Sequence, residues 1–149
     1  MGLLKIKQSD CSLLGQIILQ YMEKHQISMT EFANKAGIGR LGVRNICLKQ
    51  GNPVKANIYK LSRLLSIPPG KIYCLVCKNK IRNSCKSDHV DFVLKSFDTV
   101  IKVLIDLSEK SNRKPKLPDY QLIDEAFKSI SFMYKNDTSW TNKSIKNRV

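Results

Sequence analysis

The feature that most constrains the fold is a succession of short apolar-periodic segments, each bounded by residues typical of helix ends. In residues 10–25 apolar side chains recur every three or four positions, which predicts an amphipathic helix. Ser28 and Glu31 then form a capping-box pattern, which predicts a second helix beginning near residue 28. Gly37 ends this helix, because glycine readily adopts the left-handed conformation of helix termini. The chain therefore begins with short helices joined by tight turns.

The remainder of the chain continues this helical pattern, and no segment reads as a convincing strand. We expect Ser9 or Asp10 to cap the first helix and Asn52 to cap the fourth, with Pro53 at its first helical position. The fold class is therefore all-α. The predicted later elements are helices at about 40–49, 52–65, from about 69, 88–110 and 119–135, with a polar, flexible tail at 136–149. Polar residues from Lys78 to Ser87 end the fifth helix, and 81–87 is the predicted basic linker.

Positive charge is concentrated in the first half of the chain. The whole sequence carries a formal net charge of +14. Residues 1–87 hold 15 Lys and Arg against three acidic residues, a net +12, whereas residues 88–149 are close to neutral at +2. Such a field favours a polyanionic partner. No apolar run is long enough for a membrane span or a signal peptide, so we expect a cytoplasmic protein with no membrane partner and with reduced cysteines.

Residues 14–72 resemble the phage repressor and Cro-like helix-turn-helix family, also called the XRE family. The resemblance is carried by the ungapped run Ile27-Ser-Met-Thr-Glu-Phe-Ala-Asn-Lys-Ala-Gly-Ile38 and by Ile46, Asn52-Pro53, Ile58, Leu61, Leu64, Leu65 and Ile67. Small Ala33 suits a close helix crossing, and Gly37 suits the turn between the two helices. The resemblance implies a five-helix, lambda-repressor-like DNA-binding domain, here 10–80, whose third helix enters the major groove of double-stranded DNA.

The resemblance also assigns roles to residues of this chain. Arginine pairs well with guanine, asparagine with adenine, and leucine with the thymine methyl group. The groove-facing positions are Gly39, Arg40, Leu41, Arg44, Asn45 and Leu48. The positions that flank them, expected to contact DNA phosphates and set the register, are Thr30, Lys35, Lys49, Asn52 and Lys55. The family usually has Ser or Thr where this chain has Gly39, and Gly42 inside the third helix costs about 1 kcal/mol relative to alanine.

The segment 88–135 forms a predicted helical hairpin. A two-fold dimer would place two reading helices about 34 Å apart, on successive major grooves. This spacing favours a homodimer with the hairpin at its interface. The alternative is that the long helix completes the monomer core with the last helix. The expected interface residues are Val90, Leu94, Phe97, Ile101, Leu104, Phe127 and Ile130.

Four residues spaced as C-x2-C-x7-C-x3-H, namely Cys74, Cys77, Cys85 and His89, have side chains that can ligate zinc. Cysteines three apart on a helix are more simply apolar packing residues, so no cofactor is expected.

Together these features predict a dimeric, sequence-specific transcriptional regulator, most simply a repressor. No catalytic arrangement is visible, so we do not expect an enzyme. Two alternatives remain open. One is a phage or antitoxin-like interaction module whose C-terminal helices bind a protein partner, and the other is a DNA-binding regulator that senses metal or redox state through the four ligating residues.

Overall fold

The computed structural model describes residues 6–85, 87–111 and 120–136, and this part of the chain is all-helical. The expectation of an all-α fold is confirmed there. A short 3-10 turn, Gln8–Asp10, precedes the helices, and one isolated bridge joins Cys11 to Leu48. The helices are α1 Leu13–His25, α2 Met29–Ala36, α3 Arg40–Cys47, α4 Lys55–Leu65, α5 Pro69–Ser84, α6 Ser87–Lys110 and α7 Tyr120–Asn136. Asn136, the first residue of the predicted tail, is the last residue of α7, and the rest of that tail, 137–149, lies outside the described residues.

The helix boundaries of α2 follow the sequence signals. Ser28 has an extended backbone and its hydroxyl accepts a hydrogen bond from the amide of Glu31 at 3.1 Å, as the capping pattern predicts. Gly37 closes the helix with a φ of +73°. Its left-handed conformation is the reason for glycine at this position.

Two other capping predictions are wrong. The cap of α1 is Ser12, because residues 8–10 are already committed to the 3-10 turn. The cap of α4 is Val54, which has an extended backbone and offers no side-chain hydrogen bond. Asn52 does not cap this helix because α4 begins only at Lys55. The residues between α3 and α4 start with a turn, in which the amide of Gly51 donates to the carbonyl of Leu48 at 2.7 Å.

The first five helices pack their apolar faces into a continuous core. The same cluster of buried residues extends into α6 and α7. Fully buried side chains contributed by α1 to α5 are Ile18, Phe32, Val43, Ile58, Leu61 and Ile72. Burial of this kind contributes about 1.5–3 kcal/mol for each large apolar side chain, so it is the main force that positions the exposed faces of the helices.

Helix α5 is longer than expected and replaces most of the predicted linker at 81–87. It continues to Ser84, and α6 begins at Ser87, only three residues later. The polar appearance of this segment is misleading because Asn79 and Ile81 are both buried. Their side chains give the end of α5 an inward face, so the helix does not stop at Lys78.

Helices α6 and α7 pack against each other and against α5, rather than standing apart as a free hairpin. Phe97 of α6 and Ile130 of α7 are fully buried within the chain. Both side chains therefore lie in the core of the chain itself, where α6 packs against α5 and α7, as in the alternative that the long helix completes the monomer core. The homodimer itself stays a prediction. The other predicted interface residues, Val90, Leu94, Ile101, Leu104 and Phe127, are half-buried.

Among the helices in the described ranges, none combines the length and apolar character needed to cross a membrane.

Candidate nucleic-acid interface

The turn between α2 and α3 is held by backbone and side-chain hydrogen bonds. The amides of Gly37 and Ile38 both donate to the carbonyl of Ala33, at 2.9 and 3.1 Å. From α4, the Lys60 ammonium donates to the carbonyl of Gly37 at 3.1 Å. Ala33 and Ile38 are buried, so the turn sits directly on the core. These contacts set the angle at which α3 leaves α2.

Helix α3 has one buried and one exposed face. Val43, Ile46 and Cys47 point into the core, and this contrast makes α3 the most amphipathic of the short helices. The opposite face carries Leu41, which is 68% exposed. This exposure is unfavourable, because an apolar side chain is more stable when it is buried. Leu41 and the neighbouring Arg40 are therefore both accessible to a partner.

The predicted base-reading residues lie on this outward side to different degrees. Gly39, Arg40, Leu41 and Asn45 are exposed, whereas Arg44 and Leu48 are half-buried. Gly39 is the cap of α3 and provides no side-chain hydrogen bond, so the first amides of α3 are not blocked by a capping side chain. These amides are therefore available to a phosphate or another acceptor.

The carboxyl end of α3 is anchored by Ser12, a residue that the sequence did not single out. The Ser12 hydroxyl accepts from the Gly15 amide and donates to the carbonyl of Ile46, both at 2.8 Å. The Ser12 amide also donates to the carbonyl of Cys47 at 2.8 Å. Ser12 is only 2% exposed, so one buried hydroxyl caps the start of α1 and satisfies the end of α3.

Asn79 of α5 makes a second connection to the same end. Its side-chain carbonyl accepts from the Leu13 amide at 3.3 Å, and its side-chain amide donates to the carbonyl of Lys49 at 2.8 Å. Asn83, one turn later, donates to the same Lys49 carbonyl at 2.8 Å. Ser12 and Asn79 are both buried, and they bond to the end of α3 and to Lys49 just after it. A buried polar group needs such partners, because an unpaired one costs about 1–3 kcal/mol.

The predicted phosphate-contact residues are all exposed. They are Thr30, Lys35, Lys49, Asn52 and Lys55. Lys55 differs from the others because its ammonium lies 4.9 Å from the centre of the Tyr120 ring, a cation–π contact with α7. It would have to leave this ring, or share it, to contact a phosphate.

No described acidic side chain neutralises the basic groups around α3. In the described part of the chain, the two ion pairs are Lys78 with Asp98 and Lys128 with Asp124, and both lie on α5 to α7. Glu31 is the acidic residue of α2, and it lies near the Ser28 hydroxyl at 3.4 Å. The charges of Arg40 and Arg44 therefore remain available to a partner.

An aromatic cluster joins α4, α5 and α7, and no sequence pattern predicted it. Tyr120 stacks on Tyr73 with ring centres 4.0 Å apart, and Tyr59 lies 6.1 Å from Tyr120 on the other side. The Tyr73 hydroxyl donates to the Asp124 carboxylate at 2.6 Å. Burial and this hydrogen bond raise the pKa of Tyr73, so it stays a neutral donor. The cluster holds α7 against the helices that support α3.

The structure does not bring the four possible metal ligands together. Across the residues it describes, no group of three His, Cys, Asp or Glu side chains has the proximity to hold a metal ion. Burial raises the pKa of the Cys77 thiol to about 12, and burial also raises the pKa of Cys74 and of Cys85. Metal ligation requires the thiolate, so these environments disfavour it. His89 is half-buried on α6.

Comparisons with models of known protein families, with curated proteins and with solved structures find no match for this chain.

Proposed function

We propose that this chain is a sequence-specific, double-stranded DNA-binding regulator of transcription that inserts α3 into the major groove. The observation that carries the proposal is the division of α3 into a face buried by Val43 and Ile46 and an outward face bearing Arg40, Leu41 and Asn45. An α-helix fits the major groove, and side chains near its amino-terminal end contact base edges in helix-turn-helix proteins.

The outward face has the chemistry for direct readout of bases. Arg40 and Arg44 would each donate two hydrogen bonds to guanine, and Asn45 would pair with adenine. Leu41 would pack on a thymine methyl group, which accounts for an apolar side chain left in solvent. Each good bidentate contact contributes about 1–3 kcal/mol of discrimination against a wrong base.

The basic residues around α3 would supply affinity without sequence preference. Lys35 and Thr30 on α2, with Lys49 and Asn52 after α3, are exposed and would contact phosphates on either side of the groove. The net charge of +12 on residues 1–87 would steer the chain toward DNA and make binding strongly dependent on salt.

We propose further that two copies associate through the solvent side of α6 and α7, so that the regulator acts as a dimeric repressor by covering promoter DNA. Since Phe97 and Ile130 are internal, the proposal uses exposed aliphatic residues of these helices, Val103, Leu107 and Met133. Leu107 is 54% exposed, and burying it against a second copy would remove a large apolar side chain from water.

Fluorescence anisotropy with a duplex chosen from a random library tests the reading surface. Arg44→Ala should reduce the preference for the chosen duplex over a scrambled one, because it removes a base contact. Lys35→Ala should weaken both duplexes alike and lower the salt dependence. Lys35 is a cleaner control than Lys55, whose contact with Tyr120 would change as well. If Arg44→Ala and Lys35→Ala have the same effect on preference, α3 does not read bases.

A second function has one observation in its favour. The exposed aromatic and aliphatic residues of α6 and α7 could bind a different protein, as in an interaction module of the antitoxin type. Sedimentation equilibrium of the purified chain separates the two. A dimer that Leu107→Ser converts to a monomer favours self-association, whereas a monomer at all concentrations favours a separate partner.

A further inference from the structure

A cleft lies where the chain entering α1 meets the end of α3 and the last turns of α5. Its volume is about 480 Å³, within the roughly 300–1,000 Å³ typical of small-molecule sites. It is lined by Ser9, Cys11, Gln16, Lys49, Asn79, Arg82 and Asn83. All except Cys11 are polar or basic, so the cleft is suited to a polar ligand.

The lining carries two positive charges and no negative one. Lys49 approaches from the segment after α3 and Arg82 from α5, so the two cations come from different elements. Neither forms an ion pair within the described ranges of the chain. Asp91 shares a neighbouring cleft with Arg82 and still makes no ion pair with it there. The cleft therefore offers two cationic groups to an anion.

The other lining residues add hydrogen-bonding groups beside these cations. The side-chain amide of Gln16 and the Ser9 hydroxyl make no hydrogen bond with the described residues, so both can bind a ligand. Asn79 and Asn83 use their side-chain amides on the Lys49 carbonyl, at 2.8 Å each. These bonds hold the lysine backbone at the rim of the cleft, and the site is thereby formed before any ligand arrives.

We propose that this cleft binds a small phosphate-bearing molecule. An arginine guanidinium matches two oxygens of a phosphate in a bidentate arrangement, and a lysine adds a point charge beside it. The volume leaves room for a polar body attached to the phosphate, which Gln16 and Ser9 would contact. A recessed cleft favours such a free molecule over the phosphates of a DNA backbone. The inference stands on the cleft alone and does not require DNA binding.

A molecule bound here would touch the three elements that meet at the end of α3. Lys49 follows α3 directly, Ser9 belongs to the 3-10 turn and Arg82 to α5. The ligand would therefore add a further connection to those already made by Ser12 and Asn79. Binding should stabilise the folded chain, since it requires all three elements in place.

Nuclear magnetic resonance titration of the full chain tests the site, with ribose 5-phosphate as the probe and uncharged ribose as its counterpart at constant ionic strength. We expect saturable shifts of the Gln16, Lys49 and Asn83 amides with the phosphate ester and none with ribose. Arg82→Gln should weaken binding about tenfold or more, because it removes a charge-assisted contact. The matched control is Arg63→Gln, an exposed arginine of α4 outside the cleft, which should bind as the unmodified chain does.

Two results would overturn the proposal. One is a set of shifts that never saturates and spreads over the basic surface, or that Arg82→Gln and Arg63→Gln reduce equally, since that would indicate general attraction to a positive protein. The other is the absence of any saturable shift with ribose 5-phosphate, while a separate titration with duplex DNA shifts the Lys49 amide, which would make Lys49 a contact to the DNA backbone instead. The ribose 5-phosphate titration contains no DNA. It can therefore fail while duplex binding is retained, and duplex binding can fail while the titration succeeds.

Discussion

Replacement of Ser12 by alanine tests how α3 is held in place. The hydroxyl of Ser12 has two roles, because it caps α1 through Gly15 and satisfies the buried carbonyl of Ile46. Loss of a helix cap costs about 1 kcal/mol. An unsatisfied buried carbonyl costs about 1–3 kcal/mol more. We therefore expect Ser12→Ala to lower the free energy of unfolding by about 3 kcal/mol, a large part of the 5–15 kcal/mol of a typical domain.

The matched control is Ser28→Ala. Ser28 is also the cap of a helix, but it is exposed and its hydroxyl makes only local bonds with Glu31. Its replacement should cost about 1 kcal/mol. Urea denaturation followed by circular dichroism measures both variants. Equal losses for the two serines would refute the reasoning, because the connection to α3 would then contribute nothing beyond an ordinary cap.

Three further predictions follow from other contacts. Gly15→Ala should destabilise by about 3 kcal/mol in urea denaturation, because a β-carbon there would collide with the Cys47 backbone; a loss near zero would show that α1 and α3 can separate freely. Partial burial acts to raise the pKa of Asp124, but hydrogen bonds from Tyr73 and from the lysine one turn later outweigh it and lower that pKa. The stability that Asp124 contributes is thus present at neutral pH and lost as pH falls through its lowered pKa, and Asp124→Asn should reduce this acid sensitivity; an unchanged pH profile would contradict the assignment. Burial raises the pKa of both Cys47 and Cys77 to about 12. Iodoacetamide at pH 8 should therefore label them far more slowly than the half-buried Cys74 and Cys85, as measured by mass spectrometry of the folded chain. Equal labelling rates would count against the burial of Cys47 and Cys77.

The local signals in the sequence are reliable where a helix boundary depends on neighbouring residues. Ser28 and Gly37 cap and end α2 as expected, because their effects act through bonds to residues a few positions away. The predictions of the caps of α1 and α4 are wrong because a local pattern does not contain the contacts between distant residues. Ser12 is selected as cap by its bond to Ile46, a contact across 34 positions that no local pattern contains.

Apolar periodicity identifies the inward face of a helix but not the element that covers it. The stripe containing Phe97 on α6 is real, yet it faces α5 and α7 of the same chain instead of a second copy. The basic, polar residues after Lys78 suggest a linker, whereas the buried Asn79 makes them part of α5. A buried asparagine looks like a surface residue in sequence, because its partners, the Leu13 amide and the Lys49 carbonyl, are main-chain groups.

The predicted reading surface depends on both kinds of information. The outward position of Arg40 and Leu41 follows from the periodicity of α3, and the structure places both in solvent. The half-burial of Arg44 and the contact of Lys55 with Tyr120 could not be read from the sequence, since they depend on packing between separate elements.

Selection of duplexes from a random library, with the full chain at physiological salt, tests the central claim most directly. The account predicts enrichment of a defined sequence that binds at least about 1,000-fold more tightly than random DNA, as specific regulators do. Recovery of duplexes with no shared sequence, all bound with the same salt-dependent affinity, would contradict it.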